Sequence, residues 1–285
     1  MFERKKEIAA IFQTFNDRDF YTVIRDFFEL AAISLRNAVD IRNRATYEER
    51  YAQIASGYSD THRQKFDTAL GILMDAIYAA AAGDAPFCDW CGELFMESGT
   101  SNSRMGQFFT PYTVSKVTAQ GIISEKDVRA KIGDGNGVFT ISDSACGAGG
   151  LIVAAIEHLQ KMGINYAHNV FVDCGDIDSR CVHMTYLTLS ILGVPAVVRL
   201  GDALKLEYRE AWFTPAYIFN CAHFLRQIGC GSYPYTATVP KSAAKLQTKE
   251  PTPTTPPTPT PTKPNRPAPI PPPRVEKDGQ YLLFA

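Results

Sequence analysis

Apolar residues in the first third of the chain recur at three- and four-residue spacings. They run Ile8, Ile11, Phe12 and Phe15, then Phe20, Val23, Ile24, Phe27, Phe28 and Ala31, and later Phe66, Ala69, Leu70, Leu73 and Ile77. One face of a helix repeats in this way, so the pattern predicts a helical domain over residues 1–100. Asp60 or Thr61 is placed to cap the last of these helices and Gly83 to end it. Packing between helices accounts for all these positions, and they carry no assigned chemistry. The period then changes. Val138–Ile141, Asn169–Gly175, Ala196–Leu200 and Ala216–Phe219 are β-branched or aromatic runs that predict four strands, with helices beginning near Gly149 and spanning Arg180–Leu192. Strands alternating with helices predict an α/β domain over 101–235 built on a Rossmann-like sheet, incomplete if only these strands contribute. From Lys249 to Pro273 proline and threonine dominate, a composition that forms no core, so 236–274 is expected to be an extended disordered linker and 275–285 a terminal peptide.

Composition narrows the picture only a little. With 285 residues, 45% of them hydrophobic, the chain can bury a large core. No apolar run is long enough for a bilayer and the N-terminus lacks the build of an export signal, so the expected location is the cytoplasm. The seven cysteines are scattered and odd in number, which points to reduced thiols. Cys88 and Cys91 form the sole Cys-x-x-Cys pair; a structural zinc site needs a second pair, so no metal is expected. A net charge of −1 gives no overall attraction to nucleic acid. Contact with DNA would have to come from a local patch or a partner subunit.

Chemistry concentrates where the first strand ends. Asp143-Ser144-Ala145-Cys146-Gly147-Ala148-Gly149-Gly150 follows the strand and precedes the buried helix start Leu151–Ile156. A loop of small residues there lets a flat, polar ligand lie against main-chain atoms. A dinucleotide fingerprint would need a glycine where Ile152 stands, and no Gly-Lys-Ser/Thr follows for a phosphate loop. A turn that binds nothing would show the same residues.

What remains, Asp-x-Ala-Cys-Gly-x-Gly-Gly, resembles the first motif of S-adenosylmethionine-dependent methyltransferases in the version found in N6-adenine DNA methylases. Upstream, Gly92-Glu93-Leu94-Phe95-Met96-Glu97, a polar loop, and Gly106-Gln107-Phe108-Phe109-Thr110-Pro111 are similar to the same family, typified by the modification subunits of type I restriction systems. The resemblance covers roughly residues 90–225 and implies a DNA adenine-N6 methyltransferase. Phe109, Thr110 and Pro111 would fold over the methionine end of the cofactor, with Asp143, Ala145, Gly147 and Gly149 forming its cradle. Asp176, at the tip of the second strand, would accept the ribose hydroxyls, and Asp202, in Gly201-Asp202-Ala203-Leu204, the adenine amine. Asp178 beside them is expected to cap the next helix.

Two departures qualify the implied activity. Family members end the fourth strand in Asn/Asp-Pro-Pro-Tyr/Phe, which orients the target amine and stacks the flipped base. Here the run is Asn220-Cys221-Ala222-His223-Phe224: the asparagine is present, both prolines are absent, and His223 takes the aromatic position with Phe224 one residue late. Asn220, His223 and Phe224 are thus the candidate catalytic residues, although His223 is equally well explained as an ordinary surface histidine. The loss of two prolines loosens the expected pocket. The alternative function is a catalytically weakened, cofactor-binding homologue that acts as a DNA-binding or regulatory module; RNA or protein methylation is a third. The second departure is the proline-rich tail. It ends in Gln280-Tyr281-Leu282-Leu283-Phe284, where Gln280, Leu283 and Phe284 resemble the short peptides that dock on the replicative sliding clamp.

Overall fold

The computed structural model describes residues 2–97 and 109–227. Gly106–Phe108, the linker at 236–274 and the Gln280, Leu283, Phe284 peptide lie outside the described residues. Five helices come first: α1 (Phe2–Gln13), α2 (Phe20–Val39), α3 (Arg44–Ala55), α4 (Asp60–Ala82) and α5 (Trp90–Glu97). The caps explain their limits. Asp19 accepts a hydrogen bond from the Thr22 amide to start α2, and Ser59, one residue before the expected Asp60, accepts from the His62 amide to start α4. Gly83 ends α4 in the left-handed conformation, φ 87°. Among the described residues no helix is long and apolar enough to cross a membrane.

The second part is α/β and Rossmann-like. After α6 (Tyr112–Ile122) and α7 (Glu125–Ile132) come β1 (Phe139–Asp143), α8 (Gly150–Lys161), α9 (Tyr166–Asn169), β2 (Val170–Asp176), α10 (Ser179–Leu192), β3 (Ala196–Asp202), β4 (Glu207–Phe213) and α11 (Pro215–Gln227). The described sheet has the order β1-β2-β3-β4. Its first three strands are parallel, with Asp143 beside Cys174 and Asp176 beside Leu200, so their carboxyl ends rise together. β4 returns antiparallel along β3.

Strands buried on both faces read as unbroken apolar runs, which is the pattern of Val170-Phe171-Val172 and Ala196-Val197-Val198. One face feeds a continuous core that runs from Ile8 in α1 through α8 and α10 to Trp212 in β4. The helical region and the sheet therefore share one hydrophobic interior. On the other face Phe171, Val197 and Ala211 pack with Tyr217 and Phe224 of α11.

That last helix corrects the sequence expectation of a strand at Ala216–Phe219. The Thr214 hydroxyl accepts from the Ala196 amide at 2.9 Å, and the Tyr217 amide lies 3.4 Å from the same oxygen. Pro215 follows as the first helical residue, where its missing N–H is no loss. Tyr217, Cys221 and Phe224 then recur at spacings of four and three, the helical period. The strand next to β3 is instead Glu207–Phe213.

Candidate functional site

The loop between β1 and α8 is held from three sides. The Cys146 amide donates to the Gly175 carbonyl at 3.0 Å, and the Gly147 amide donates to Asp176 Oδ2 at 3.0 Å. The Thr185 hydroxyl of α10 donates to the Gly147 carbonyl at 2.9 Å. Gly147 (φ 55°) and Gly149 (φ 89°) occupy the left-handed region, which fits glycine. A side chain at 147 would come within 3.2 Å of the Phe109 ring, so this backbone and that ring close against each other.

A cavity of about 160 Å³ opens beside the loop, lined by Phe109, Thr110, Asp143, Ala145, Cys146, Gly147, Ala148 and Leu151, together with Asp89, Ser115, Thr118 and Gly150. Of the residues expected from sequence, the structure brings Phe109, Thr110, Asp143, Ala145 and Gly147 to this cavity. Pro111 stands just before α6 and accepts from the Ser115 amide, and Gly149 is the N-cap residue of α8. Asp176 reaches the loop through Gly147. Asp202 lies outside the lining, accepting from the Leu204 and Lys205 amides and pairing with the Lys205 ammonium.

Two carboxylates here are held away from their ordinary ionisation. Burial pushes Asp143 up, against the amide of Ala145, and the charge of Asp176 adds to the rise. Burial likewise raises Asp176, opposed by the amides of Asp178 and Gly147. Asp202 is lowered instead, first by the Lys205 amide. Asp178 accepts from the Arg180 amide at 2.9 Å and so caps α10.

The three candidate catalytic residues do not join this site. Asn220 is exposed on α11 and its amide donates to the Ala216 carbonyl within the same helix. His223 stacks on His168, ring centroids 4.2 Å apart, and its Nε2 lies 3.1 Å from the His168 carbonyl. Phe224 is fully buried beside Phe171 and Tyr217, where no base can reach it. A helix replaces the expected strand, and the residues that would have stood at a strand tip are spread around its surface.

Sequence reasoning missed Asp89, Ser115 and Thr185. Asp89 sits immediately before α5 and its Oδ1 accepts from the Gly92 amide at 2.9 Å; an acidic residue before a helix start is the signal in the sequence that could have found it. Cys88 and Cys91 on either side of it are buried free thiols. Its other oxygen points between α5 and α8, close to Gly92 and Gly150. Burial, opposed by the Gly92 amide and the charge of Lys5, pushes Asp89 up to about 6.

That shift has a signed consequence for stability. A folded-state value above the unfolded one means the fold holds the proton more tightly, so the Asp89 contribution is fully favourable below about pH 4 and is lost as pH rises through about 6. Two pK units correspond to about 3 kcal/mol. Asn caps as well as Asp does, so Asp89→Asn is expected to match the wild type near pH 4 and to be more stable by about 2–3 kcal/mol above pH 7. Urea denaturation of both proteins across that range checks it; a gap that does not grow with pH would show that Asp89 bears no such burial cost.

Residues 92–211 match the sequence model of the N-6 DNA Methylase family. The chain is 31% identical over 98 residues to the type I restriction enzyme MjaIX methylase subunit of Methanocaldococcus jannaschii. That match takes in 34% of this chain and 15% of the relative, so the chain spans only a small part of the relative's length. Among solved structures it is similar to the type I restriction-modification system methyltransferase subunit from Streptococcus thermophilus, with 11% identity, a TM-score of 0.38, and coverage of 72% of this chain and 58% of that one.

Proposed function

We propose, from the premise that residues 92–211 carry the N-6 DNA methylase pattern, that this chain binds S-adenosylmethionine over the glycine loop and serves as a catalytically weakened homologue. In this reading it works on DNA as a binding or regulatory module beside a partner chain, such as a specificity subunit. One observation carries the proposal: Asp143, Gly147, Phe109 and Thr110 converge on one cavity, while Asn220 and Phe224 are withdrawn onto α11. The donor set fits the group. Glycine backbone leaves room for a flat nucleoside, Asp176 retains lone pairs beyond those used by the Gly147 and Asp178 amides, and buried carboxylates suit a ligand bearing positive charge. The bound cofactor would supply an activated methyl group. Asp143 and Asp176 would orient it, and Phe109 and Thr110 would shield one end from water. The clamp-like peptide at Gln280, Leu283 and Phe284 carries no part of this reading.

The second reading is adenine-N6 methylation by this chain itself, supported by the family match over residues 92–211. The two separate in one experiment. Calorimetric titration with S-adenosylhomocysteine should saturate, and labelled S-adenosylmethionine with unmethylated DNA should yield no N6-methyladenine from the chain alone. Product formed by the chain alone would overturn the weakened-homologue reading in favour of the enzyme, and failure to bind either nucleoside would overturn both.

A further inference from the structure

The cavity has a polar lining that the glycine loop does not supply. Asp89, 5% exposed, and Ser115, 1% exposed, both line it, and they come from α5's cap and from α6. The Ser115 hydroxyl has no hydrogen-bond partner among the described residues. Asp89 commits one oxygen to the Gly92 amide, and no second hydrogen-bond partner engages it among the described residues. Asp143 likewise commits one oxygen, to the Ala145 amide. Capping α5 needs an acceptor but no charge, so the cap alone leaves the buried charge at position 89 without a purpose. Lys5, whose charge acts on Asp89, is paired with Glu93.

We infer that Asp89 and Ser115 receive the amino-acid ammonium of the nucleoside ligand, sharing it with Asp143. An ammonium brings three N–H donors and one positive charge. Two carboxylate oxygens and one hydroxyl oxygen are what such a group requires, and each of the three side chains has capacity to accept. A neutral ligand end would bring these buried carboxylates no compensating charge, which is the costlier arrangement. The inference rests on the S-adenosylmethionine reading of the glycine loop and adds to it the residues that choose the ligand's amino-acid end.

The test compares two ligands on the full chain by calorimetry: S-adenosylhomocysteine, which carries the ammonium, and 5′-methylthioadenosine, which lacks the whole amino-acid end. Wild type should prefer the first by at least about tenfold. Asp89→Asn should weaken S-adenosylhomocysteine by about tenfold to a hundredfold, the range for a lost charged hydrogen bond, and leave methylthioadenosine unchanged. Ser115→Ala should weaken it by less, again with methylthioadenosine unaffected, and should melt no lower than wild type because it removes a hydroxyl that no described residue satisfies. Wild-type affinity for S-adenosylhomocysteine in Asp89→Asn would overturn the inference while leaving the glycine-loop site standing. Equal losses for both ligands would also overturn it, since they would mark a structural role only. Binding of neither ligand by wild type would remove the underlying site, and the inference with it.

Discussion

Asp176→Ala is expected to weaken S-adenosylhomocysteine binding by a factor of about a hundred or more while changing thermal stability little. The carboxylate stands at the tip of β2, half-buried, and accepts from the Gly147 amide at 3.0 Å and from the Asp178 amide at 2.9 Å. Under the proposed function it also accepts the two ribose hydroxyls. Hydrogen bonds to a charged acceptor contribute about 1.5–3 kcal/mol each, so two of them lost approach three powers of ten. The fold loses less. Two amides are left without their acceptor, but a carboxylate whose ionisation burial opposes is removed along with them, and the two changes offset. Gly147 also remains tied through its carbonyl to Thr185. Calorimetry beside a melting curve measures both halves. Undiminished affinity would show that the second strand tip takes no part in the cradle.

The parts of this arrangement that were legible in the sequence are those set by short-range chemistry. Asp143 and the glycines at 147 and 149 announce a strand-to-helix turn, because few other residues tolerate those backbone angles. Asp178 before Ser179 announces a cap, and the apolar runs at 170–172 and 196–198 announce strands covered on both faces. The segment after Asp202 was not legible in the same way. Glu207-Tyr208-Arg209-Glu210-Ala211-Trp212-Phe213 is mostly polar in its first half, because that half is exposed along the edge of the sheet, so its alternation is weak. With that alternation weak, the apolar group at Tyr217, Ile218 and Phe219 reads as a strand, although Thr214-Pro215 is a helix start. Asp89 was hidden for a different reason: its chemistry depends on α8 arriving beside α5, and no local pattern encodes that meeting.

Arg36→Ala should cost the fold about 3–5 kcal/mol, the range for removing one partner of a buried ion pair. Arg36 is 3% exposed on α2 and pairs with Asp40, itself buried, at 3.1 Å. Its guanidinium lies 3.9 Å from the ring centre of Tyr47 on α3 and 4.4 Å from that of Trp212 on β4. Those two aromatics are in turn joined by Glu210, which accepts from the Tyr47 hydroxyl at 3.1 Å and the Trp212 indole at 2.9 Å. One cation thus pins the helical region to the antiparallel strand. Its loss takes the guanidinium from the buried Asp40 carboxylate, which keeps hydrogen bonds from the Asn43 amide and side chain, and removes two cation–π contacts of about 0.5–2 kcal/mol each. Against a total of about 5–15 kcal/mol for a folded protein, this is the largest single stability change expected among these side chains, read as a lower urea midpoint. Replacing both partners, Arg36→Met with Asp40→Leu, should recover part of the loss, because the buried charge is then removed with its partner, although Asn43 loses its acceptor. A double variant no better than Arg36→Ala would place the cost in the aromatic contacts and not in the ion pair. Because β4 pairs with β3 up to Asp202, the single variant should also loosen the third strand tip, and hydrogen exchange at Gly201 and Asp202 should rise in Arg36→Ala and return towards wild type in the double variant.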